Sequence, residues 1–236
     1  MTELNLRRDF NRIPTAAALV NPQDPKRDRL EAFIRRTFHT HYDAKVQSCM
    51  PSLLGLCDTD DNLLAALGLR PAASDRLFLE QYLGQPVEQR LNQTLSAFGA
   101  DVPREAIMEV GNLAAEHSGG GRWLIIALTA YLQGAGYDWV VFTALPALRN
   151  SFHKLGLHMV PLGEARKDHL PIEQQADWGR YYDGKPQVMA VNVHHTFGVL
   201  DRYLRLEQAV HILDHLWRRA YELGTANLMT SLMVRA

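Results

Sequence analysis

The spacing of apolar residues divides the chain into alternating strands and helices. From Asp28 to Tyr42, the residues Leu30, Phe33, Ile34, Thr37 and Phe38 recur at the three- and four-residue spacing that places them on one side of a helix. The polar, proline-containing stretch before it, to about Pro25, reads as an N-terminal arm. Two apolar runs, Ser52–Cys57 and Asn62–Leu69, flank the acidic turn Asp58-Thr59-Asp60-Asp61 as the strands of a hairpin would. Leu77–Leu83 and Pro86–Phe98 read as short helices over one face of a sheet. The second opens on proline, whose missing N–H costs nothing in a first turn, and carries Val87, Leu91 and Leu95 four residues apart.

In the second half, Ile107–Ala114 reads as a strand and is followed by the glycine run Gly119-Gly120-Gly121. The helix predicted from Arg122 to about Gln133 is apolar nearly all round, so it should be buried on most sides, with Gly134 and Gly136 ending it. Trp139–Ala144 has the composition of a buried parallel strand, and Pro146–Leu155 returns to helical spacing before Gly156. His158–Leu162 and Gln187–Val193 are further strands, separated by the aromatic loop Trp178–Gly184. A last amphipathic helix, Asp201–Leu223, carries Tyr203, Leu206, Val210, Leu213, Trp217 and Ala220 on one stripe, for packing on its own core, for a homodimer contact or for a membrane surface. The predicted fold is α/β (α+β): a mixed central sheet of six or seven strands flanked by helices. Its expected organisation is an arm at 1–25, a main domain at 26–200 and a helical appendage at 201–236.

Composition narrows the function classes. A chain of 236 residues, 47% hydrophobic and 22% charged, is that of an ordinary globular protein. Its formal charge of -1 lacks the broad positive field of a nucleic-acid binder, and the local cluster Lys26, Arg27, Arg29, Arg35 and Arg36 reads as a solvated helix face. Two cysteines, Cys49 and Cys57, do not frame a disulfide fold and suggest a reducing compartment. Leu6-Arg7-Arg8-Asp9-Phe10 resembles a twin-arginine export signal, but the apolar stretch after it is short and runs into Asn21-Pro22. With no uninterrupted apolar stretch of about 18 residues, the expected location is cytoplasmic and no transmembrane helix is expected.

Candidate chemistry centres on the glycine run. Residues without Cβ let backbone N–H groups approach an anion at a helix N-terminus, which makes Gly119, Gly120, Gly121 and Arg122 a candidate cofactor-binding turn. The Lys-Ser/Thr ending of a Walker loop and the Gly-x-Gly-x-x-Gly pattern are both absent. Glu109, on the preceding strand, is a candidate base or a structural acceptor. Asn112 orients substrate or satisfies a bulge beside Gly111. Glu80 and Glu88 are candidate substrate-binding carboxylates, or simply surface charges of a helix. His211 and His215 stand one helical turn apart without a third ligand, and His194-His195 follows a predicted strand, on which adjacent side chains would point opposite ways, so no metal site is expected. The absence of Gly-x-Ser-x-Gly argues against a lipase.

From Glu109 through the glycine turn and Val140-Val141-Phe142 to Phe152-His153-Lys154-Leu155-Gly156-Leu157, the chain resembles the acyl-CoA-binding half of a GNAT protein. Leu77-Phe78-Leu79-Glu80-Gln81-Tyr82-Leu83, Glu109–Ala114, Trp139–Thr143 and Trp178–Asp183 resemble signature segments of the thermostable haemolysin family. That resemblance implies a GNAT-like fold, distantly similar to acyl-homoserine-lactone and N-acyl amino acid synthases. It also implies transfer of a fatty acyl group from acyl-CoA, or from the phosphopantetheine of an acyl carrier protein, to a small-molecule amine. Glu116 stands where the GNAT pyrophosphate motif has Arg or Gln, and Phe152 where a general-acid tyrosine is common. The resemblance therefore points to a carrier-protein or long-chain donor, with Tyr181 or Tyr182 as the acid beside Glu109 and Asn112, and Trp178 on the substrate side. The family's haemolytic phenotype implies an alternative, membrane action through the C-terminal stripe and Leu228, Met229, Leu232 and Met233. A further alternative is a non-catalytic GNAT-like binding module.

Overall fold

The computed structural model describes residues 13–99, 101–116, 120–206 and 211–235. Seven strands, β1 (Ala16–Val20), β2 (Ser52–Cys57), β3 (Leu63–Pro71), β4 (Ile107–Ala115), β5 (Trp139–Ala144), β6 (Val160–Glu164) and β7 (Gln187–Asn192), form one sheet in the order β1-β2-β3-β4-β5-β7-β6. Among the described residues, only the β4/β5 pair is parallel.

The helices are α1 (Arg27–Tyr42), α2 (Glu80–Leu83), α3 (Val87–Leu95), α4 (Gly120–Gly134), α5 (Pro146–Lys154), α6 (Ile172–Gln175), α7 (Val193–Leu206) and α8 (His211–Arg235). Helix α1 buries Leu30, Phe33, Ile34 and Phe38, the stripe expected from their spacing, and ends where Asp43 turns to φ 54°. The β2–β3 hairpin is held by Asp58, whose Oδ1 accepts the N–H groups of Asp60 and Asn62 at 3.0 and 2.8 Å.

Alternation along the strands sends side chains to two faces. Met108, Val110, Val140, Phe142, Met189 and Val191 pack with α4, α7 and α8, while Ile107, Val141, Val188 and Ala190 pack against α2 and α3. α4 is covered by α8 so closely that two glycines are required. A Cβ on Gly134 would lie 2.3 Å from the Tyr221 carbonyl oxygen, and one on Gly224 would lie 2.1 Å from that of Tyr131.

Three elements differ from the sequence reading. Ala16–Val20, read as part of the arm, is the edge strand β1; its three alanines carry little strand signal, and pairing to β2 makes it a strand. The strand expected at His158–Leu162 runs from Val160 to Glu164. The helix expected at Asp201–Leu223 falls on the end of α7 and the first part of α8, with residues 207–210, including Val210, outside the described ones. Helix α7 starts at Val193 because Asn192 Oδ1 accepts the His195 N–H at 2.8 Å, an N-cap that hydrophobic spacing does not reveal. His194 and His195 therefore open a helix rather than alternate on a strand.

Candidate functional site

β4 and β5 pair only over Ile107–Val110 and Trp139–Phe142. Beyond that point β4 follows β3 to Ala115 and β5 follows β7 to Ala144, so the two strands part. The parting has a local cause. Gly68 pairs with Gly111 and Ala66 with Ala114, which leaves one extra residue on β4, and Asn112 takes it up at φ 51°. The extra residue also reverses the side-chain phase: Met108 and Val110 face α4, whereas Ala114 faces α1.

A cleft of about 1280 Å³ opens between the parted strands, lined by Val110–Leu113 from one and Phe142 and Thr143 from the other. At the far end of β4 it reaches Gly121 and Arg122 at the start of α4, with Ser151 and Lys154 of α5. On the opposite face it is walled by Phe78, Tyr82, Trp178 and Tyr181. Trp178 is set there because Gly179 passes directly against the end of α1, where a Cβ would lie 2.2 Å from the Tyr42 carbonyl oxygen.

Glu109 borders this cleft and is 2% exposed. Its oxygens accept the N–H groups of Phe78 at 3.1 Å and Leu79 at 2.9 Å, and Arg70 Nη1 stands 3.9 Å away. Burial pushes its pKa up, against the opposing pull of the two N–H groups and Arg70. Each carboxylate oxygen has a second lone pair, so these bonds leave acceptor capacity.

Asn112 also borders the cleft, and its Oδ1 accepts the Met50 N–H at 3.0 Å, tying the 43–51 segment to the bulge. Replacing Asn112 with alanine is expected to cost about 1–3 kcal/mol, from the unsatisfied Met50 N–H and the positive φ. A thermal melt should show a Tm lower by roughly 2–10 °C; an unchanged Tm would mean that the tie contributes nothing.

The phenols form a buried aromatic cluster. Tyr182 shares a 2.5 Å hydrogen bond with Tyr82, and it is Tyr82 and Tyr181, not Tyr182, that reach the cleft wall. Burial pushes Tyr182 up to about 12 and raises Tyr82 and Tyr181 further. Cys49, also on the wall, is pushed up to about 11 by burial, which keeps it a thiol at neutral pH.

Glu80 and Glu88 sit elsewhere. Glu80 accepts the N–H groups of Leu77 and Val87 at 2.9 Å each, and both carboxylates meet Arg104 Nη1, at 2.5 and 2.6 Å. They line a separate small groove rather than the cleft. Burial pushes Glu80 up, but Arg104 and the two N–H groups outweigh it and hold it below the usual carboxylate range.

In the glycine run, Gly119 lies outside the described residues. Gly120 is pressed on Ala115, where a Cβ would come within 2.6 Å of that residue's own Cβ. Arg122 donates to the Tyr203 hydroxyl. Phe152 stacks on Phe142 in the core at 5.3 Å, and Glu116 borders the cleft. The His211 side chain lies outside the described residues; among those described, no group of three His, Cys, Asp or Glu residues is placed to hold a metal ion. Sequence reasoning missed Arg70, Gln81 and Lys154 on the wall. Arg70 had left a signal, as a lone charge ending an apolar strand.

An open mixed sheet with one splayed parallel pair defines a GNAT-like α/β fold, and solved structures share it. FeeM, described as an N-acyl amino acid synthase from uncultured soil microbes, is 12% identical, with 80% of this chain and 97% of that one covered and a TM-score of 0.53. BjaI with MTA, described as a CoA-dependent acyl-homoserine lactone synthase, is 13% identical over 78% and 87%, at 0.51. TofI in an apo form is 13% identical over 83% and 99%, also at 0.51. The family model for thermostable hemolysin matches residues 20–197, and the chain belongs to that family. No curated protein sequence matches it.

Proposed function

We propose that the protein is an N-acyltransferase that moves a fatty acyl group from a CoA or acyl-carrier-protein thioester to a small-molecule amine. The observation that carries this reading is the parting of β4 and β5 around a cleft that runs through the sheet. A pantetheine arm is an extended chain with two amides, and parted strand edges suit it as they suit an added strand. Its phosphate would sit at the start of α4, near Arg122 and Lys154, where helix N–H groups and cations favour an anion. The acyl chain would lie along the apolar and aromatic wall. The fold is shared with proteins described as synthases of N-acyl compounds, one of them CoA-dependent, which supports the reaction class.

Glu109 would take the proton from the attacking amine. The leaving thiolate, with a thiol pKa near ~8.5, needs no strong acid, which suits a site where Phe152 replaces tyrosine and the phenols are pushed up. Purified protein given acyl-CoA or acyl carrier protein with a mixture of amines should release thiol and yield an N-acyl product by mass spectrometry. Because burial raises Glu109 and only its ionised form accepts a proton, the acid limb of kcat/KM should fall above the ordinary carboxylate value near ~4.3. A limb at or below that value would remove Glu109 from this role.

A second reading has one observation behind it. Met229, Leu232 and Met233 are exposed along the end of α8, the part of the chain best suited to a lipid surface. Among the described residues no helix is long and apolar enough to cross a membrane. Lysis of cells by purified protein without any thioester would favour this reading over acyl transfer.

A further inference from the structure

Two arginines serve the start of β4, and they differ in how completely they are paired. Arg104 donates to Glu80 and Glu88, to the Ala72 carbonyl at 2.8 Å and to the Asp75 carbonyl at 3.0 Å, so its charge is satisfied within the fold. Arg70 makes one long hydrogen bond, Nη1 to the Arg76 carbonyl at 3.4 Å, and approaches Glu109 at 3.9 Å. Its Nε and Nη2 donate to none of the described residues. A quarter of the side chain is exposed, and it borders the cleft beside Phe78, Gln81 and Tyr82.

Glu109 is held beneath it by the Phe78 and Leu79 N–H groups, and this explains why the two charges stop short of contact. A guanidinium with open donors on an aromatic wall is incomplete, and its planar fork fits a carboxylate. The other cationic end of the cleft, at Arg122, lies beyond the far end of β4, whose run from Glu109 to Ala115 spans about 20 Å at ~3.3 Å per residue. The cleft thus has cations on opposite sides of the parted strands, and a thioester donor with its phosphate at the start of α4 would leave Arg70 open.

We propose that Arg70 binds an anionic group of the acceptor, so that the amine acylated here also carries a carboxylate, as an amino acid does. This rests on the acyl-transfer reading and adds the acceptor's charge to it. In the step, the amine nitrogen bonds to the thioester carbon, the C–S bond breaks with its electrons leaving on sulfur as thiolate, and the amine proton passes to Glu109. The carboxylate remains on Arg70 throughout and fixes the distance of the amine from the carbonyl.

The test uses two product-like compounds that differ only in charge, N-dodecanoylglycine and its primary amide. Each is titrated by calorimetry, below micelle-forming concentrations, into the wild type, Arg70→Met and Arg70→Lys, with melts to establish that each variant is folded. The acid should bind the wild type at least tenfold more tightly than the amide. Arg70→Met should remove that preference and Arg70→Lys should restore part of it. Equal binding in the wild type, a preference that survives in Arg70→Met, or no binding of either compound overturns the proposal. Turnover separates it from the reading it rests on. Acylation of neutral amines as readily as carboxylated ones would leave acyl transfer standing and sink the role of Arg70. Arg70-dependent binding of the acid with no amine acylated would do the reverse.

Discussion

Cells that make the Glu109→Ala chain are expected to lack the N-acylated compound made by cells carrying the wild type, with a loss of at least about a hundredfold by mass spectrometry of lipid extracts. A positioned general base contributes roughly 10²–10⁴ to a rate, and Glu109 is the carboxylate at the start of β4 that borders both the cleft and Arg70. Alanine also leaves the Phe78 and Leu79 N–H groups without acceptors, at about 1–3 kcal/mol each, so loss of product by itself would not separate chemistry from folding. Glu109→Gln separates them, since it keeps one acceptor oxygen but takes up no proton. It should melt closer to the wild type than the alanine variant and be equally inactive. Product formed by a folded Glu109→Gln protein would show that the carboxylate only braces the 78–79 turn.

The largest stability effect is expected where α4 and α8 cross. Gly224→Ala removes a helix-weakening residue, which in open space would stabilise by about 1 kcal/mol. Here the new methyl would lie 2.1 Å from the Tyr131 carbonyl oxygen and 2.8 Å from the Ala135 nitrogen, both backbone atoms that cannot swing aside as a side chain would. Overpacking of this kind costs about 1–3 kcal/mol or more, so the expected net change is destabilising by about 2 kcal/mol, a Tm drop of roughly 4–8 °C. Gly198→Ala on α7 is the control. Nothing lies within 4 Å of its added Cβ, and it should leave the Tm unchanged or raise it slightly. If the two variants melt alike, the close crossing is not what holds α8 in place.

The same crossing bears on what can be read from a sequence. The all-round apolar character of residues 122–133 predicts a buried helix, but nothing in the spacing identifies its cover, and it marks Gly134 only as the residue ending that helix. The close approach of Gly134 to Tyr221 and Thr225, far along the chain, leaves no periodic trace. Glu80 and Glu109 show the same limit. Both are single acidic residues in apolar surroundings; the sequence puts Glu109 forward as the base and Glu80 as a substrate-binding group, and leaves each a structural alternative. The fold ties Glu80 to Arg104 beside a separate groove and sets Glu109 at the cleft under a partly paired arginine. Tyr181 or Tyr182 was implied only as a substitute for the tyrosine that Phe152 replaces, and packing alone decides that Tyr82 and Tyr181 form the wall while Tyr182 does not.

The sequence by itself determined six of the seven strands and most of the helices, because burial in a strand or helix repeats every two or about 3.6 residues and can be read locally, while the GNAT-like class followed from the resemblance of particular segments to a known family. The tertiary structure decided where β4 and β5 part, which carboxylate meets which arginine, and that a run of alanines near the N-terminus is an edge strand. Those outcomes depend on a one-residue bulge and on pairings between segments tens of residues apart, whose energies are set by the partner and not by the local pattern.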